Sequence, residues 1–122
     1  MALQLALDVA ELKEALAIAK KASHYVDWIE AGTPLIKNEG LRSVRELKKH
    51  FPDKKIVADM KIMDTGKFEV GLAADAGADI VTVLGVADMK TIKDAISGAR
   101  KRKVEILVDL ISTPSNKWEV IE

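Results

Sequence analysis

Five short runs of hydrophobic residues recur along the chain, separated by longer segments of mixed polarity. They lie at Leu3–Leu7, Val26–Ile29, Lys55–Ala58, Ile80–Leu84 and Val104–Leu110. Runs of this length that are rich in valine, isoleucine and leucine are typical of strands buried on both faces, as in a parallel sheet. We therefore predict five such strands, which begin roughly 22–30 residues apart.

The segments between these strands carry hydrophobic residues at the i, i+3, i+4 spacing of helices that lie on a sheet. The four stripes are Leu12, Ala15, Leu16 and Ala19; Leu41, Val44, Leu47 and Phe51; Phe68, Leu72, Ala73 and Ala76; and Ile92, Ala95, Ile96 and Ala99. Asp88 is placed to cap the fourth helix at its start, and Gly77 to end the third in a left-handed turn. The order β-α-β-α-β-α-β-α-β predicts right-handed crossovers and a parallel sheet.

The spacing of the units is close to the ~31 residues per unit of an eight-unit barrel of ~250 residues. The fold class predicted is therefore α/β, of the (β/α)8 barrel type, truncated to about five strands and four to five helices. A five-stranded open sheet has the same local pattern and remains the alternative at this point. We place the partial barrel domain at residues 1–112 and a divergent tail at residues 113–122.

Charged residues collect at the carboxyl ends of the predicted strands. They are Asp8, Glu30, Asp59 with Lys61, and Asp109. Unpaired buried carboxylates are strongly unfavourable, so their repetition at equivalent strand ends calls for a common explanation. The carboxyl-terminal edge is where barrels build active sites and where open sheets bind ligands. Capping of the following helix would explain any one of these residues, but it does not explain all of them together.

Where the third strand runs into a loop, the sequence contains the motif Asp59-x-Lys61-x-x-Asp64, whose ionisable side chains are the strongest candidates for catalysis. An ammonium held between two carboxylates stays protonated and is able to deliver or shuttle a proton. Carboxylates from neighbouring strand ends are also suited to holding Mg²⁺, with the remaining coordination positions open to water or substrate oxygens. Both interpretations predict an active site at this edge.

The composition excludes several other classes of protein. The chain has 122 residues, 19 Lys and Arg against 19 Asp and Glu, and 4% aromatic residues, which argues against a nucleic-acid-binding protein. It has no cysteine, which excludes disulfide scaffolds, zinc–thiolate sites and thiol nucleophiles. No apolar stretch approaches the ~20 residues of a membrane span, and the first residues lack the features of a signal peptide. We predict a cytoplasmic protein with no membrane partner.

Several segments together resemble the orotidine 5'-monophosphate decarboxylase suprafamily. They are Leu-Ala-Leu-Asp8, Ile-Glu30-Ala-Gly-Thr-Pro, Glu-Gly-Leu-Arg, Ala-Asp59-Met-Lys61-Ile-Met-Asp64 and Ala-Gly-Ala-Asp-Ile-Val-Thr-Val-Leu-Gly. Within the suprafamily the resemblance is closest to the 3-hexulose-6-phosphate synthase branch, and the 3-keto-L-gulonate-6-phosphate decarboxylases are the nearest relatives. It extends from Leu3 to about Leu110.

The resemblance implies a lyase with a (β/α)8 barrel that works as a homodimer, with active sites at the dimer interface. The synthase branch joins formaldehyde to D-ribulose 5-phosphate through a Mg²⁺-stabilised enediolate. The implied roles are metal ligation by Glu30 and Asp59, substrate binding by Asp8, Lys61 and Asp109, and catalysis by Lys61, Asp59 and Asp64. Asp64 would reach into the site of the partner subunit.

Two alternatives to a synthase remain open on the sequence. The first is a decarboxylase of a 3-keto sugar-acid phosphate, which would use the same metal and enediolate. The second is a non-catalytic half-barrel. Because a five-stranded partial barrel would expose the edges of its first and last strands, we also predict self-association of the chain through those edges.

Overall fold

A single parallel sheet with its five strands in sequential order organises the computed structural model, which describes residues 1–114. The strands are β1 (Gln4–Leu7), β2 (Trp28–Ala31), β3 (Lys55–Ile62), β4 (Ile80–Leu84) and β5 (Glu105–Asp109). The helices are α1 (Leu12–Ala22), α2 (Thr33–Glu39), α3 (Arg42–His50), α4 (Gly66–Asp75) and α5 (Met89–Arg102), with a 3₁₀ turn at Ser23–Tyr25. Residues 115–122, which make up most of the predicted tail, lie outside the described part.

The strand order decides between a barrel and an open sheet. Each strand pairs with the next one in sequence, in the order β1-β2-β3-β4-β5. Right-handed crossovers that all step in one direction place every helix on the same face. A doubly wound open sheet instead reverses its strand order at a switch point. The predicted α/β half-barrel is therefore confirmed.

The two faces of the sheet differ in chemistry. On the face that packs against the helices, Ile29, Ala58 and Val81 are fully buried and belong to the main hydrophobic core. The opposite face corresponds to the inside of a barrel, and on it Glu30 of β2 pairs in register with Val57 of β3. Because side chains alternate along a strand, this inner face carries the polar residues of the strand ends.

The third helical stripe is confirmed at Ala73 and Ala76, which are buried in the core, but it is wrong at its other two residues. Phe68 and Leu72 of α4 are 67% and 41% exposed, whereas Gly66 and Gly71 are buried. Glycine lets two helix backbones approach closely, and α4 meets α5 along such a surface, where a Cβ on Gly98 would lie 3.2 Å from the backbone of Lys67. A search for hydrophobic residues overlooks the glycines that form part of this helix face.

Two further differences concern β2 and the segment after it. β2 begins at Trp28 and not at Val26, and just before it the carboxylate of Asp27 accepts a hydrogen bond from the backbone N–H of Leu3. The short helix α2 was not predicted, since only Leu35 of its seven residues is buried and no stripe forms. No helix within residues 1–114 is long and apolar enough to cross a membrane.

Candidate active site

The carboxyl end of β3 is distorted by a bulge. The register of β3 with β4 shifts between Ala58 and Ile62, and Lys61 has a left-handed backbone conformation with φ of 45°. Few residues other than glycine adopt this conformation, and they concentrate at functional sites. The bulge turns the side chains of Asp59 and Lys61 toward the same place.

The ammonium of Lys61 lies between two carboxylates. Its Nζ is 2.7 Å from Oδ2 of Asp109 and 3.1 Å from Oδ2 of Asp59. The hydrogen bond to Asp109, together with that to Asp59, holds the pKa of Lys61 above its usual 10.5 in spite of partial burial. The same contact from Lys61 lowers the pKa of Asp109 below 3.8, aided by the backbone N–H of Ile111. Lys61 is thus a cation, and Asp109 an anion, at neutral pH.

Two threonines orient the carboxylate of Asp59, which is only 6% exposed. The hydroxyl of Thr82 on β4 donates to Oδ1 at 2.9 Å, and that of Thr33 at the start of α2 donates to Oδ2. Neither threonine was predicted as a site residue. A hydroxyl within the hydrophobic run of β4 was the one available signal for Thr82, because a buried polar side chain needs a partner.

Glu30 of β2 lies beside this cluster. Its Oε2 accepts a hydrogen bond of 2.7 Å from Nε2 of Gln4 on β1. Burial raises the pKa of Glu30 above 4.5, and the negative charges of Asp59 and Asp8 raise it further, against the opposing effect of Gln4. The carboxylates of Asp8 and Asp59 are therefore each close enough to repel that of Glu30.

We expect Glu30→Gln to increase the free energy of unfolding at pH 7. A pKa that folding raises means that ionisation of Glu30 destabilises the folded state at every pH above its folded pKa. The penalty disappears below the unfolded value near 4.5, where the carboxyl is protonated in both states. The glutamine still offers Gln4 an amide oxygen.

Urea unfolding of both proteins at pH 7 and pH 4 measures this difference, and Glu14→Gln on the exposed face of α1 is the control. The gain in stability is expected at pH 7 and not at pH 4. An equal gain at both values would contradict the explanation by charge.

The structure brings five of the six predicted residues to one edge, and Asp64 is the exception. Asp64 lies on an exposed loop, where its Oδ1 accepts a hydrogen bond of 2.6 Å from the backbone N–H of Thr65. Asp8 follows β1 directly, and its carboxylate lies so close to Gly32 that a Cβ on that residue would overlap it. The absence of a side chain at Gly32 thus keeps Asp8 against the end of β2.

The side chains at this edge fit a magnesium ion better than a metal that needs a complete set of protein ligands. No group of three or more His, Cys, Asp or Glu side chains within residues 1–114 is arranged to hold a metal. Mg²⁺ usually takes one or two carboxylates and completes its coordination with water and substrate oxygens. Glu30 and Asp59 supply two such carboxylates, and a divalent cation would offset the burial and the neighbouring negative charges that together raise the pKa of Glu30.

Comparisons with known proteins agree with the fold. The chain is 52% identical over 112 residues to the 3-hexulose-6-phosphate synthase of Bacillus subtilis strain 168, a match that covers 92% of this chain and 53% of the relative. It superimposes on a crystal structure of a 3-hexulose-6-phosphate synthase with a TM-score of 0.89 at 50% identity, over 90% of this chain and 53% of the other. A 3-keto-L-gulonate-6-phosphate decarboxylase from Vibrio cholerae gives a TM-score of 0.86 at 37% identity, over 88% and 50%.

The chain therefore spans about half the length of the curated relatives that it matches. The family model for orotidine 5'-phosphate decarboxylases and the HUMPS family matches residues 1–118. With its sequential parallel sheet and its charged strand ends, this chain belongs to the orotidine 5'-phosphate decarboxylase / HUMPS family.

Proposed function

We propose that this chain supplies the active-site half of a 3-hexulose-6-phosphate synthase, which condenses formaldehyde with D-ribulose 5-phosphate through an enediolate. The observation that carries the proposal is the position of the Lys61 ammonium between Asp59 and Asp109 at the carboxyl edge of the sheet. The names of the relatives support it, since relatives at about half identity are 3-hexulose-6-phosphate synthases.

The reaction places negative charge on two substrate oxygens when a base takes the proton from the sugar carbon, and a proton is returned to the oxygen of formaldehyde when the carbon–carbon bond forms. A fixed ammonium directed at those oxygens stabilises that charge, because it needs no reorganisation during the reaction. Lys61 is such a group, and Asp109 and Asp59 keep it protonated and in place. Asp8 is placed to accept hydrogen bonds from sugar hydroxyls beside it.

We include Mg²⁺ in the proposal, held by the carboxylates of Glu30 and Asp59. When bound, the ion would compensate the negative charge that develops on the substrate oxygens. The hydroxyls of Thr33 and Thr82 fix the direction of the Asp59 carboxylate, so that this ligand does not have to reorient.

The test is consumption of ¹³C-formaldehyde by the purified chain with D-ribulose 5-phosphate and Mg²⁺, with the product followed by NMR. A labelled hexulose 6-phosphate that forms with all three components, and is lost on omission of the sugar phosphate or on addition of a chelator, is the expected result. Formaldehyde loss that is independent of the sugar phosphate would contradict the proposal.

A decarboxylase of 3-keto-L-gulonate 6-phosphate is the second candidate. The similarity to the Vibrio cholerae decarboxylase, at a TM-score of 0.86, favours it specifically. Its reaction also passes through an enediolate, but it releases CO₂ and takes up a proton. Release of CO₂ from that substrate, without condensation of formaldehyde, would favour this candidate over the synthase.

We also propose that the protein forms a homodimer in which Asp64 reaches the site of the partner subunit. Large apolar side chains are exposed on the segment of chain that contains Asp64, with Met63 at 52%, Phe68 at 67% and Leu72 at 41% exposure, and we take them to form one surface. Contiguous exposed apolar residues around a polar group mark interaction surfaces. Two copies related by a two-fold axis would bury this surface against itself.

Phe68→Glu is expected to convert the dimer to a monomer, because it places a charge at the centre of that surface. Multi-angle light scattering at several protein concentrations measures the mass. Tyr25→Glu is the matched control, since Tyr25 is 79% exposed on the 3₁₀ turn, outside this surface. A dimer that Phe68→Glu leaves intact would instead indicate association through the edges of β1 and β5.

A further inference from the structure

Thr82 contacts both functional residues of the β3 bulge with a single hydroxyl group. Its Oγ1 accepts a hydrogen bond of 2.9 Å from the backbone N–H of Lys61 and donates one of 2.9 Å to Oδ1 of Asp59. The two bonds are compatible, because a hydroxyl has one proton to donate and free lone pairs to accept. Thr82 itself is 2% exposed, so water does not readily replace either bond.

The bulge explains why this hydroxyl is needed. The pairing of β3 with β4 is interrupted between Ala58 and Ile62, so the N–H of Lys61 does not take part in the regular backbone hydrogen bonds between the two strands. A buried backbone N–H without an acceptor is costly, and Thr82 supplies the acceptor from its side chain. Lys61 has an unfavourable left-handed backbone conformation, with a φ of 45°. It therefore depends on the hydrogen bond to Thr82 more than a residue in a regular strand would.

We propose that Thr82 is a positioning residue for the proposed reaction. It couples the backbone of Lys61 to the carboxylate of Asp59, and so fixes the ammonium and the carboxylate relative to each other. This inference rests on the proposed function and deepens it by naming a residue outside the charged set. The hydroxyl, and not the size of the side chain, carries the role, so serine should replace threonine and the isosteric valine should not.

The first measurement is amide hydrogen exchange of the full chain by NMR, for the wild type, Thr82→Val, Thr82→Ser and the control Thr91→Val on α5. Loss of the acceptor should lower the protection of the Lys61 amide in Thr82→Val about five- to tenfold. Thr82→Ser and Thr91→Val should keep it. Protection of the Ile56 amide on the same strand corrects for any global loss of stability. Unchanged protection of Lys61 in Thr82→Val would overturn the proposal.

The second measurement is the affinity of the same four proteins for Mg²⁺ by calorimetry, together with kcat and KM. Groups that orient a metal ligand typically change affinity about 10–100-fold, so we expect a loss of at least about tenfold in Thr82→Val and recovery in Thr82→Ser. We further expect kcat to fall in Thr82→Val while the KM for D-ribulose 5-phosphate changes little.

The two proposals fail in different ways. If the wild type binds Mg²⁺ but shows no synthase activity, the proposed function is contradicted. In that case a lower Mg²⁺ affinity in Thr82→Val still supports the role of Thr82. If the wild type is active and Thr82→Val has the same activity and the same Mg²⁺ affinity, the role of Thr82 is overturned and the proposed function stays intact. Absence of Mg²⁺ binding in the wild type contradicts the Mg²⁺ part of the proposed function, and the hydrogen exchange of the Lys61 amide then decides the role of Thr82 alone.

Discussion

Replacement of Lys61 by methionine should lower kcat/KM for the condensation about 10²–10³-fold, the range typical of the loss of one preorganised group that stabilises developing charge. Methionine keeps most of the length and apolar character of the lysine stem and removes only the charge. Without the ammonium, no cation remains between Asp59 and Asp109, and their negative charges oppose the charge that develops on the substrate. The loss should therefore appear in kcat as well as in kcat/KM.

Steady-state formaldehyde consumption at saturating Mg²⁺ measures this effect, with Lys13→Met on the exposed face of α1 as the matched control. Lys61→Arg is a second, informative variant. Arginine keeps the charge, but its planar guanidinium does not reproduce the compact ammonium between two carboxylates, so little activity should return. Near wild-type kcat/KM in Lys61→Met would exclude Lys61 from the chemistry.

Removal of Lys61 also affects stability, and the two effects have to be separated. Asp59 keeps its hydrogen bonds from Thr33 and Thr82, so its carboxylate does not become an unsatisfied buried group. Asp109 keeps the backbone N–H of Ile111. We therefore expect Lys61→Met to fold, and circular dichroism at the assay temperature checks this.

The second large effect is expected in the packing of α4 against α5, where Gly66→Ala should destabilise the protein by about 1–3 kcal/mol. Gly66 is the first residue of α4. A Cβ there would overlap the carbonyl oxygen of Thr91 and lie 3.0 Å from the backbone nitrogen of Ala95. Since both groups belong to the backbone of α5, relief requires the two helices to move apart.

Gly71→Ala in the same helix is the matched control, and its expected effect has the opposite sign. A Cβ at Gly71 would meet only the end of the Arg102 side chain, at 3.5 Å. Alanine in a helix interior is more stable than glycine by roughly 0.5–1 kcal/mol. Urea unfolding followed by circular dichroism measures both variants. A neutral Gly66→Ala would show that the α4–α5 contact adapts freely.

Much of the fold followed from local pattern. The predicted bounds of β4 agree with the structure at both ends. Asp88 caps α5 by accepting a hydrogen bond of 2.7 Å from the backbone N–H of Lys90, and Gly77 after α4 has a φ of 99°. These features depend on residues near each other in sequence, so spacing alone predicts them.

The errors arose where packing partners come from distant parts of the chain. Part of the buried face of α4 is formed by glycines, and they are needed there because the backbone of α5 packs directly against them. The bulge of β3 depends on Thr82 of the neighbouring strand. This residue lies 21 positions after Lys61 in the sequence, and its hydroxyl accepts a hydrogen bond from the backbone N–H of Lys61. Neither partner is visible within a local window of sequence.

The sequence by itself determined the class of the fold and the edge of the sheet at which the chemistry is placed. Alternation of buried strands and amphipathic helices fixes a parallel sheet, and the charges at the strand ends then meet at one edge. Only the tertiary structure decided which charges pair. The sequence motif places Asp64 three residues after Lys61, but the ammonium of Lys61 bonds to Asp109, 48 residues away. The reason is that strand order, register and the bulge set the distances between side chains, whereas separation along the chain does not.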